Sequence, residues 1–279
     1  MTHTLSLLQR VNASDIRLLP FPHIVIEDAL PLDLCNQLRA SFPSLESQGV
    51  DPCANNLRWS TKARDIPSIS NLSGLWKDMI NFHTSQEFLD QVLTLFAKPL
   101  IELFPHRFPS LATLTQQKAV VRDHKNLIPG QIALDAQISG NTPVVTPGAP
   151  RGVHFDAPNA LYGGLYYLRS DDDDSVGGDL QIWKWKDGYS HEKKSGEYRE
   201  GVRLRHVELV KTVPYRANTF VFFINSIDSL HAVTTRQATP HTRKFLNLLA
   251  DSDQNFFNLK AAPHLRIRNA LRRKLFRTD

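Results

Sequence analysis

Apolar positions in the first 117 residues recur mainly at the spacing of amphipathic helices. A β-branched run at residues 24–26 predicts a short strand. Pro31 suits a first helical turn, and a helix is predicted after it because apolar side chains recur every four positions, at Leu34, Leu38 and Phe42. Residues 44–72 are polar and interrupted by prolines, which predicts an irregular connection.

Further helices are predicted before residue 105. Leu75–His83 predicts one helix, and Ser85 is the predicted N-cap of the next, whose apolar stripe carries Phe88, Val92, Leu95 and Phe96. Residues 99–104 predict a last turn or two of helix. The simplest arrangement packs these helices on one face of a sheet.

Residues 118–250 instead predict short strands separated by turns. Gln131–Ile138 alternates, with apolar side chains at positions 132, 134, 136 and 138 on one side. Residues 139–150 hold three prolines and two glycines and predict a loop. Further strands are predicted over 161–168, 179–185, 202–210, 219–224, 229–234 and 244–250. This spacing is typical of an antiparallel sandwich or barrel, so we expect a helical layer on an all-β core.

Composition places the chain among ordinary globular proteins. Its 279 residues are 41% hydrophobic and 22% charged, which excludes wholesale disorder and a fibrous protein. No apolar run approaches the roughly 18–20 residues of a membrane span, and the start lacks the pattern of a signal peptide. Two cysteines, Cys35 and Cys53, cannot form a disulfide framework, so a reducing cytoplasmic location is expected.

The net charge of +5 comes from one end of the chain. Residues 260–279 hold seven basic residues against one acidic residue, and the preceding chain, with 26 basic and 27 acidic residues, has a charge of −1. The basic isoelectric point of the chain, about 9.2, therefore reflects this segment and does not predict nucleic-acid binding. The tail predicts a basic terminal helix that packs on the body through Leu271 and Leu275, or alternatively contacts an acidic partner or a membrane surface.

His154 and Asp156 form the sharpest candidate site. Residues two apart in a strand point to the same face, and His231 in the strand-like SLHAVT supplies a second imidazole. Two imidazoles and one carboxylate on one face of an octahedral metal form the ligand set of non-haem Fe(II) oxygenases. Zinc favours tetrahedral nitrogen and sulfur sites, which neither cysteine is placed to complete. A chance His–Asp pairing is the alternative, since the chain has 11 histidines.

Arg243 is the candidate for binding an anionic cosubstrate. It lies 12 residues after His231, a length suited to a turn into the neighbouring strand. A guanidinium can hold a carboxylate with two parallel hydrogen bonds, a role that suits Arg better than Lys. The alternative is a surface arginine at the start of a strand.

The order and spacing of several motifs resemble the Fe(II)/2-oxoglutarate-dependent oxygenases, and more narrowly their prolyl-4-hydroxylase-like branch. The resemblance covers about residues 131–250, and more loosely residues 20–43. Its motifs are PFPHIVIEDALP, HFD, LYYLR, GGDLQIW, NTFVFFINSIDSLHAV and TPHTRKFLNLL.

The resemblance implies an α+β fold with a double-stranded β-helix core, a jelly-roll of the cupin-like kind, and an N-terminal helical layer packed on one sheet. It implies one domain over 1–279, with mainly helical support over 1–117, the core over 118–250 and the basic helix over 260–279. It implies Fe(II) held by His154, Asp156 and His231. It also implies 2-oxoglutarate bound by Arg243 and Tyr167, O₂ as second cosubstrate and ascorbate as a supporting reductant.

Several alternatives stay open at this stage. His241 rivals Arg243 by its offset from His231, although an imidazole suits a carboxylate less well, and Tyr167 is also expected as an aromatic filling the barrel. Asp156 disfavours halogenation, so hydroxylation of a small molecule, an amino acid or a peptidyl residue is the expected reaction, with desaturation or cyclisation as variants. Two other classes remain: a non-redox β-helix binding module, and a cupin-type metalloenzyme that does not use 2-oxoglutarate.

Overall fold

The computed structural model describes residues 5–123, 127–190 and 202–257. The helices in this part of the chain are α1 (Leu32–Ala40), α2 (Gly74–His83), α3 (Gln86–Leu95), α4 (Ala97–Leu103) and α5 (Leu111–Thr115). The strands are β1 (His23–Ile26), β2 (Arg58–Thr61), β3 (Lys118–Val121), β4 (Gln131–Asn141), β5 (Ala160–Tyr167), β6 (Leu180–Trp185), β7 (Val207–Val213), β8 (Phe220–Ile224), β9 (His231–Val233) and β10 (Arg243–Ser252).

The strands form two sheets. The major sheet has the order β1-β8-β5-β10-β4-β2, and β3 also pairs with β4. The minor sheet has the order β7-β6-β9. All the pairings are antiparallel except that of β3 with β4. The strand order is non-sequential because neighbouring strands come from distant parts of the chain, as in a jelly-roll.

The helices cover one face of the major sheet. Ser73 and Ser85 cap α2 and α3 by accepting hydrogen bonds from the backbone amides of Trp76 and Phe88, which starts each helix where the sequence predicts. The apolar stripes of these helices meet the apolar side of β4, whose members are all fully buried: Ile132, Leu134, Ala136 and Ile138. The core therefore lies largely between this face and the helical layer.

A second apolar cluster lies between the two sheets. It joins Tyr167, Phe223 and Phe245 of the major sheet to Leu180 and Ile182 of the minor sheet. The predicted fold class is confirmed: an α+β chain with a jelly-roll core and a helical layer on one sheet. None of the helices in the described ranges combines the length and the hydrophobicity that a membrane span requires.

Four predictions about local structure are wrong. The connection over 44–72 contains β2, which pairs with the end of β4. Its one apolar residue is the buried Trp59, whereas Arg58 and Ser60 line the cavity between the sheets, so the strand lacks an apolar alternation. β3 runs parallel to β4, and β4 continues to Asn141 into the predicted loop. The strand predicted over 202–210 is β7, which begins at Val207 and ends at Val213. The predicted basic helix over 260–279 lies outside the described residues.

Candidate active site

Backbone pairing brings the two candidate imidazole ligands side by side. The amide of His154 donates to the carbonyl of His231 at 2.9 Å, and the amide of His231 donates to the carbonyl of His154 at 2.8 Å. This exchange is an isolated bridge, so the predicted strand through residues 154–156 is wrong beyond His154. Asp156 follows in irregular backbone, where its amide donates to Asn225 Oδ1 at 3.3 Å.

The three predicted ligands converge on one point. Their ligand atoms all lie within 4.8 Å of one another, with Asp156 oxygens 3.9 Å from His154 Nε2 and 3.8 Å from His231 Nε2. Each Nδ1 lies against a backbone carbonyl, of Gly152 at 2.7 Å and of Ser229 at 2.9 Å. If each Nδ1 carries the proton and donates it there, both Nε2 lone pairs face the carboxylate, the orientation that a metal requires.

Both imidazoles are held in the neutral form that binds metals. Burial, helped by the nearby His231 and Arg151, lowers the pKa of His154 to about 2. Burial also lowers the pKa of His231, against the opposing effect of the Asp156 carboxylate. Two neutral imidazoles and one carboxylate form a donor set that suits Fe(II), which is the metal that the sequence resemblance implies.

Arg243 lies at the start of β10 and is almost completely buried. Its Nε donates to the Gly178 carbonyl at 2.7 Å, and an Nη donates to the Tyr167 hydroxyl at 3.2 Å. Its guanidinium carbon is 4.7 Å from the Phe245 ring centroid, 5.1 Å from that of Tyr167 and 5.2 Å from that of Tyr215. In the described ranges no carboxylate lies within 4.0 Å of it, so this buried cation keeps the capacity to bind an anion.

The residues that hold Arg243 include two that sequence reasoning missed. Gly178 has a φ of +84°, and a Cβ there would lie 3.1 Å from Arg243 Cδ. Tyr215 packs its ring against Tyr167 with centroids 5.3 Å apart. The adjacent glycines Gly177 and Gly178 were the only sequence signal, and they indicate a turn without indicating its partner.

The structure separates the remaining candidates. Tyr167 is fully buried, and its hydroxyl contacts Arg243, so it is both an aromatic of the core and a neighbour of the candidate anion site. His241 instead faces Asp174 at 3.4 Å and does not line the cavity described next. Arg243 is therefore the better placed of the two rivals.

A cavity of about 640 Å³ contains His154, Asp156, His231 and Arg243. Phe223 forms part of its wall, with its ring centroid 4.8 Å from that of His231. Gly163 lies directly beneath this ring. A Cβ at that position would be only 2.6 Å from Phe223 Cζ, so any larger residue would displace the ring. The volume is sufficient for a small cosubstrate and part of a second molecule.

No protein-family model matches the chain, and no curated protein matches it. Similar solved structures include a prolyl-4-hydroxylase from Pseudomonas putida, with 13% identity, a TM-score of 0.43 and coverage of 90% of this chain and 98% of that one. A prolyl 4-hydroxylase from Phytophthora capsici has 14% identity and a TM-score of 0.44, covering 98% and 74%. A Trichoplax adhaerens prolyl hydroxylase in complex with a peptide of hypoxia inducible factor has 13% identity and a TM-score of 0.39, covering 90% and 88%.

Proposed function

We propose that this chain, as a single domain over 1–279, is an Fe(II)- and 2-oxoglutarate-dependent oxygenase that hydroxylates an unactivated C–H bond. One observation carries the proposal: two neutral imidazoles and a carboxylate converge in a cavity that also contains a buried arginine with no acidic partner among the described residues. A metal site alone does not require that arginine, whereas a dicarboxylate cosubstrate requires a cation to bind its second carboxylate.

His154, Asp156 and His231 would hold the iron from one side, which leaves its other positions open to cosubstrates. Iron bound there supplies O₂ activation coupled to decarboxylation of 2-oxoglutarate to succinate and CO₂. The backbone carbonyls of Gly152 and Ser229 fix the two imidazole rings, and their contacts with Nδ1 keep Nε2 directed at the metal position.

Arg243 would bind the distal carboxylate of 2-oxoglutarate. Its Nε is already used by Gly178 and one Nη by Tyr167, so the guanidinium is fixed in orientation before the cosubstrate arrives. Fixing the donor beforehand reduces the entropy lost on binding. Phe223 packs its ring against that of His231 and so makes this side of the cavity apolar.

The test is conversion of 2-oxoglutarate to succinate by purified, iron-loaded protein with ascorbate as supporting reductant. We expect His154→Ala and Asp156→Ala to lower this turnover by at least about 100-fold, because each removes a metal ligand. His106→Ala, an exposed histidine between α4 and α5, is the control and should leave the turnover unchanged.

Turnover at the parent rate in either ligand variant would overturn the metal assignment. Metal binding by the parent protein without any succinate formation, across a panel of small molecules, amino acids and peptides, would instead favour the non-redox binding module. A product 16 Da heavier than its substrate, detected by mass spectrometry, would establish hydroxylation over desaturation or cyclisation.

A further inference from the structure

The cavity beside the candidate metal site carries more positive charge than its own acids neutralise. Two carboxylates line it, those of Asp156 and Asp251, against five cations: Arg58, Lys62, Arg122, Arg151 and Arg243. A divalent metal ion and dianionic 2-oxoglutarate cancel each other, and Asp135, a buried carboxylate 3.8 Å from Arg122 just outside the lining, offsets one further charge. An excess of two positive charges therefore remains after both bind. Such an excess in a partly closed cavity attracts and retains anions.

Two of the five cations have no acidic partner among the described residues and no assigned role. Arg122 lies 2.7 Å from Asp251, and Arg151 lies 3.8 Å from Asp156. Arg58 and Lys62 have no carboxylate within 4.0 Å in the described ranges, and Arg58 instead lies 5.4 Å from the Phe245 ring centroid. Both side chains line the cavity, so they face whatever occupies it.

A buried amide next to Arg58 points to the same kind of ligand. In the major sheet Asn141 of β4 lies opposite Arg58 of β2 on one side and Arg243 of β10 on the other. Asn141 is 2% exposed and lines the cavity, and its Nδ2 has no acceptor among the described residues. A buried donor between two guanidinium-bearing positions is satisfied by an oxygen of an anion.

Neighbouring polar residues on the same face of β4, unlike Asn141, have hydrogen-bond partners for their side chains. Gln137 accepts from the Asn247 amide at 3.0 Å, and Ser139 contacts the Ser60 hydroxyl at 2.8 Å. The unsatisfied donor is therefore confined to the end of β4 that lies between Arg58 and Arg243.

The opposite wall of the cavity is apolar. Strands β5, β6, β8, β9 and β10 supply side chains without charge there: Leu165, Leu180, Phe223, Val233 and Leu249. Phe223 extends this wall to the His231 ring. A molecule with an anionic end on the β2 side would thus present an apolar body along the wall that leads to the metal ligands.

We propose that Arg58, Lys62 and the Asn141 amide bind an oxyanionic group, a carboxylate or a phosphate, of a substrate whose remaining body is apolar. The inference rests on the proposed function, since it assigns the substrate class of that reaction. Arg58 contributes more to this binding, because it lies opposite Asn141 in the sheet, whereas Lys62 follows the end of β2 four residues further along the chain.

Three aromatic probes of similar shape test this assignment: 2-naphthoate, 2-naphthyl phosphate and neutral 2-naphthamide. Each is titrated by fluorescence into the full chain loaded with Zn(II) and saturating 2-oxoglutarate, so that Arg243 is occupied and no turnover occurs. We expect at least one anionic probe to bind about tenfold tighter than the amide. Comparison of naphthoate with the phosphate decides between the two sources of the oxyanion.

Variants then locate the bound anion. Arg58→Gln should weaken the preferred anionic probe about fivefold to tenfold, and Lys62→Gln about threefold, with the amide unchanged. Arg216→Gln and Lys98→Gln are the matched controls, since both are exposed cations outside the cavity, and they should change nothing. Retention of 2-oxoglutarate by the filtered complex shows that the probe has not displaced it.

Equal affinity for the amide and both anions would overturn the proposal, as would anion binding that Arg58→Gln leaves unchanged. Weaker 2-oxoglutarate binding in Arg58→Gln, with the probes unaffected, would assign Arg58 to the cosubstrate and also reject it. Failure of the proposed function is distinguishable, because it appears in the parent protein as absent metal-dependent binding of 2-oxoglutarate. That result is obtained before any naphthyl probe is added.

Discussion

The two faces of the major sheet are built by the same strands and differ in chemistry, one being apolar and the other mixed. On β10, positions 246, 248 and 250 carry Leu, Leu and Ala toward the helical layer, whereas the alternate positions line the cavity with polar as well as apolar side chains: Arg243, Phe245, Asn247, Leu249 and Asp251. On β4, the apolar residues at 132–138 alternate with a buried polar column: Asp135, Gln137, Ser139 and Asn141.

This difference separates stability from function within single strands. The helix-covered face gains its free energy from apolar burial, which needs no partner outside the chain. The cavity face holds buried polar groups, most of which are satisfied within the chain, while Arg243 and the Asn141 amide are open to a ligand. Substitutions on the two faces should therefore change different measured quantities.

Leu134→Ala is the largest expected loss on the helix-covered face. Leu134 is fully buried, so the substitution should lower the free energy of unfolding by about 3–4 kcal/mol through lost burial and a cavity. Leu111→Ala, at a side chain 56% exposed on α5, is the control and should cost far less. Urea denaturation measures both. If the folded variant lost as much free energy of 2-oxoglutarate binding as of unfolding, the proposed independence of the two faces would be wrong.

The helical layer also predicts a dependence of stability on pH. Burial lowers the pKa of His83 to about 4, against a carbonyl contact from Met79 that raises it. Because the folded state resists protonation, stability present above pH 6.5 should be lost as pH falls from 6.5 to 4, on the order of 3 kcal/mol in full. His83→Leu should flatten this loss in denaturation curves recorded across the range. An unchanged pH slope would contradict the assignment of the effect to His83.

Arg243→Ala removes a side chain from the cavity face of the major sheet and should weaken binding of 2-oxoglutarate. Loss of a two-pronged charge-assisted contact should raise the KM for 2-oxoglutarate about 100-fold. Lys244→Ala is the control, since the next residue of β10 points to the other side, where its Nζ contacts Ser170. Succinate formation at varied 2-oxoglutarate measures the effect. An unchanged KM in Arg243→Ala would show that Arg243 does not bind 2-oxoglutarate. Metal-dependent activity of the parent protein without any succinate formation would instead favour a cupin-type enzyme that does not use this cosubstrate.

Gly178→Ala is expected to have the smallest effect of these substitutions, and it tests whether Gly178 positions Arg243. The added Cβ would lie 3.1 Å from Arg243 Cδ at a φ that disfavours alanine, so 2-oxoglutarate affinity should fall about tenfold. Gly130→Ala has a similar φ of +87° with open space, which makes it the control for backbone strain alone. Equal affinities in the two variants would indicate that Gly178 does not position Arg243.

Much of this arrangement was predictable from local pattern. The strand at 24–26, the helix after Pro31 and the cap at Ser85 follow from periodicity and side-chain hydrogen bonding over a few residues. The candidate ligands His154, Asp156 and His231 followed from donor chemistry together with family resemblance. β2 escaped prediction because its residues Arg58 and Ser60 face the polar side of the cavity, so the usual apolar alternation is absent.

The contacts around Arg243 and Asn141 were not predictable in this way. Gly178 and Tyr167 meet Arg243 across sequence separations of 65 and 76 residues, and nothing in a local window records that approach. The strand argument also placed His154 and Asp156 together through the wrong geometry, since irregular backbone, and not a strand, carries Asp156 to the imidazoles.

The sequence by itself determined which positions are apolar, where the helices and most strands lie, and which residues have the chemistry of a metal site. Those properties depend on side-chain type and short-range periodicity. Only the tertiary structure decided that β2 borders the cavity, that Arg58, Asn141 and Arg243 lie in one row across three strands, and that Asn141 keeps an unsatisfied donor. Those properties depend on strand order and register, which are set by packing between segments far apart in the chain.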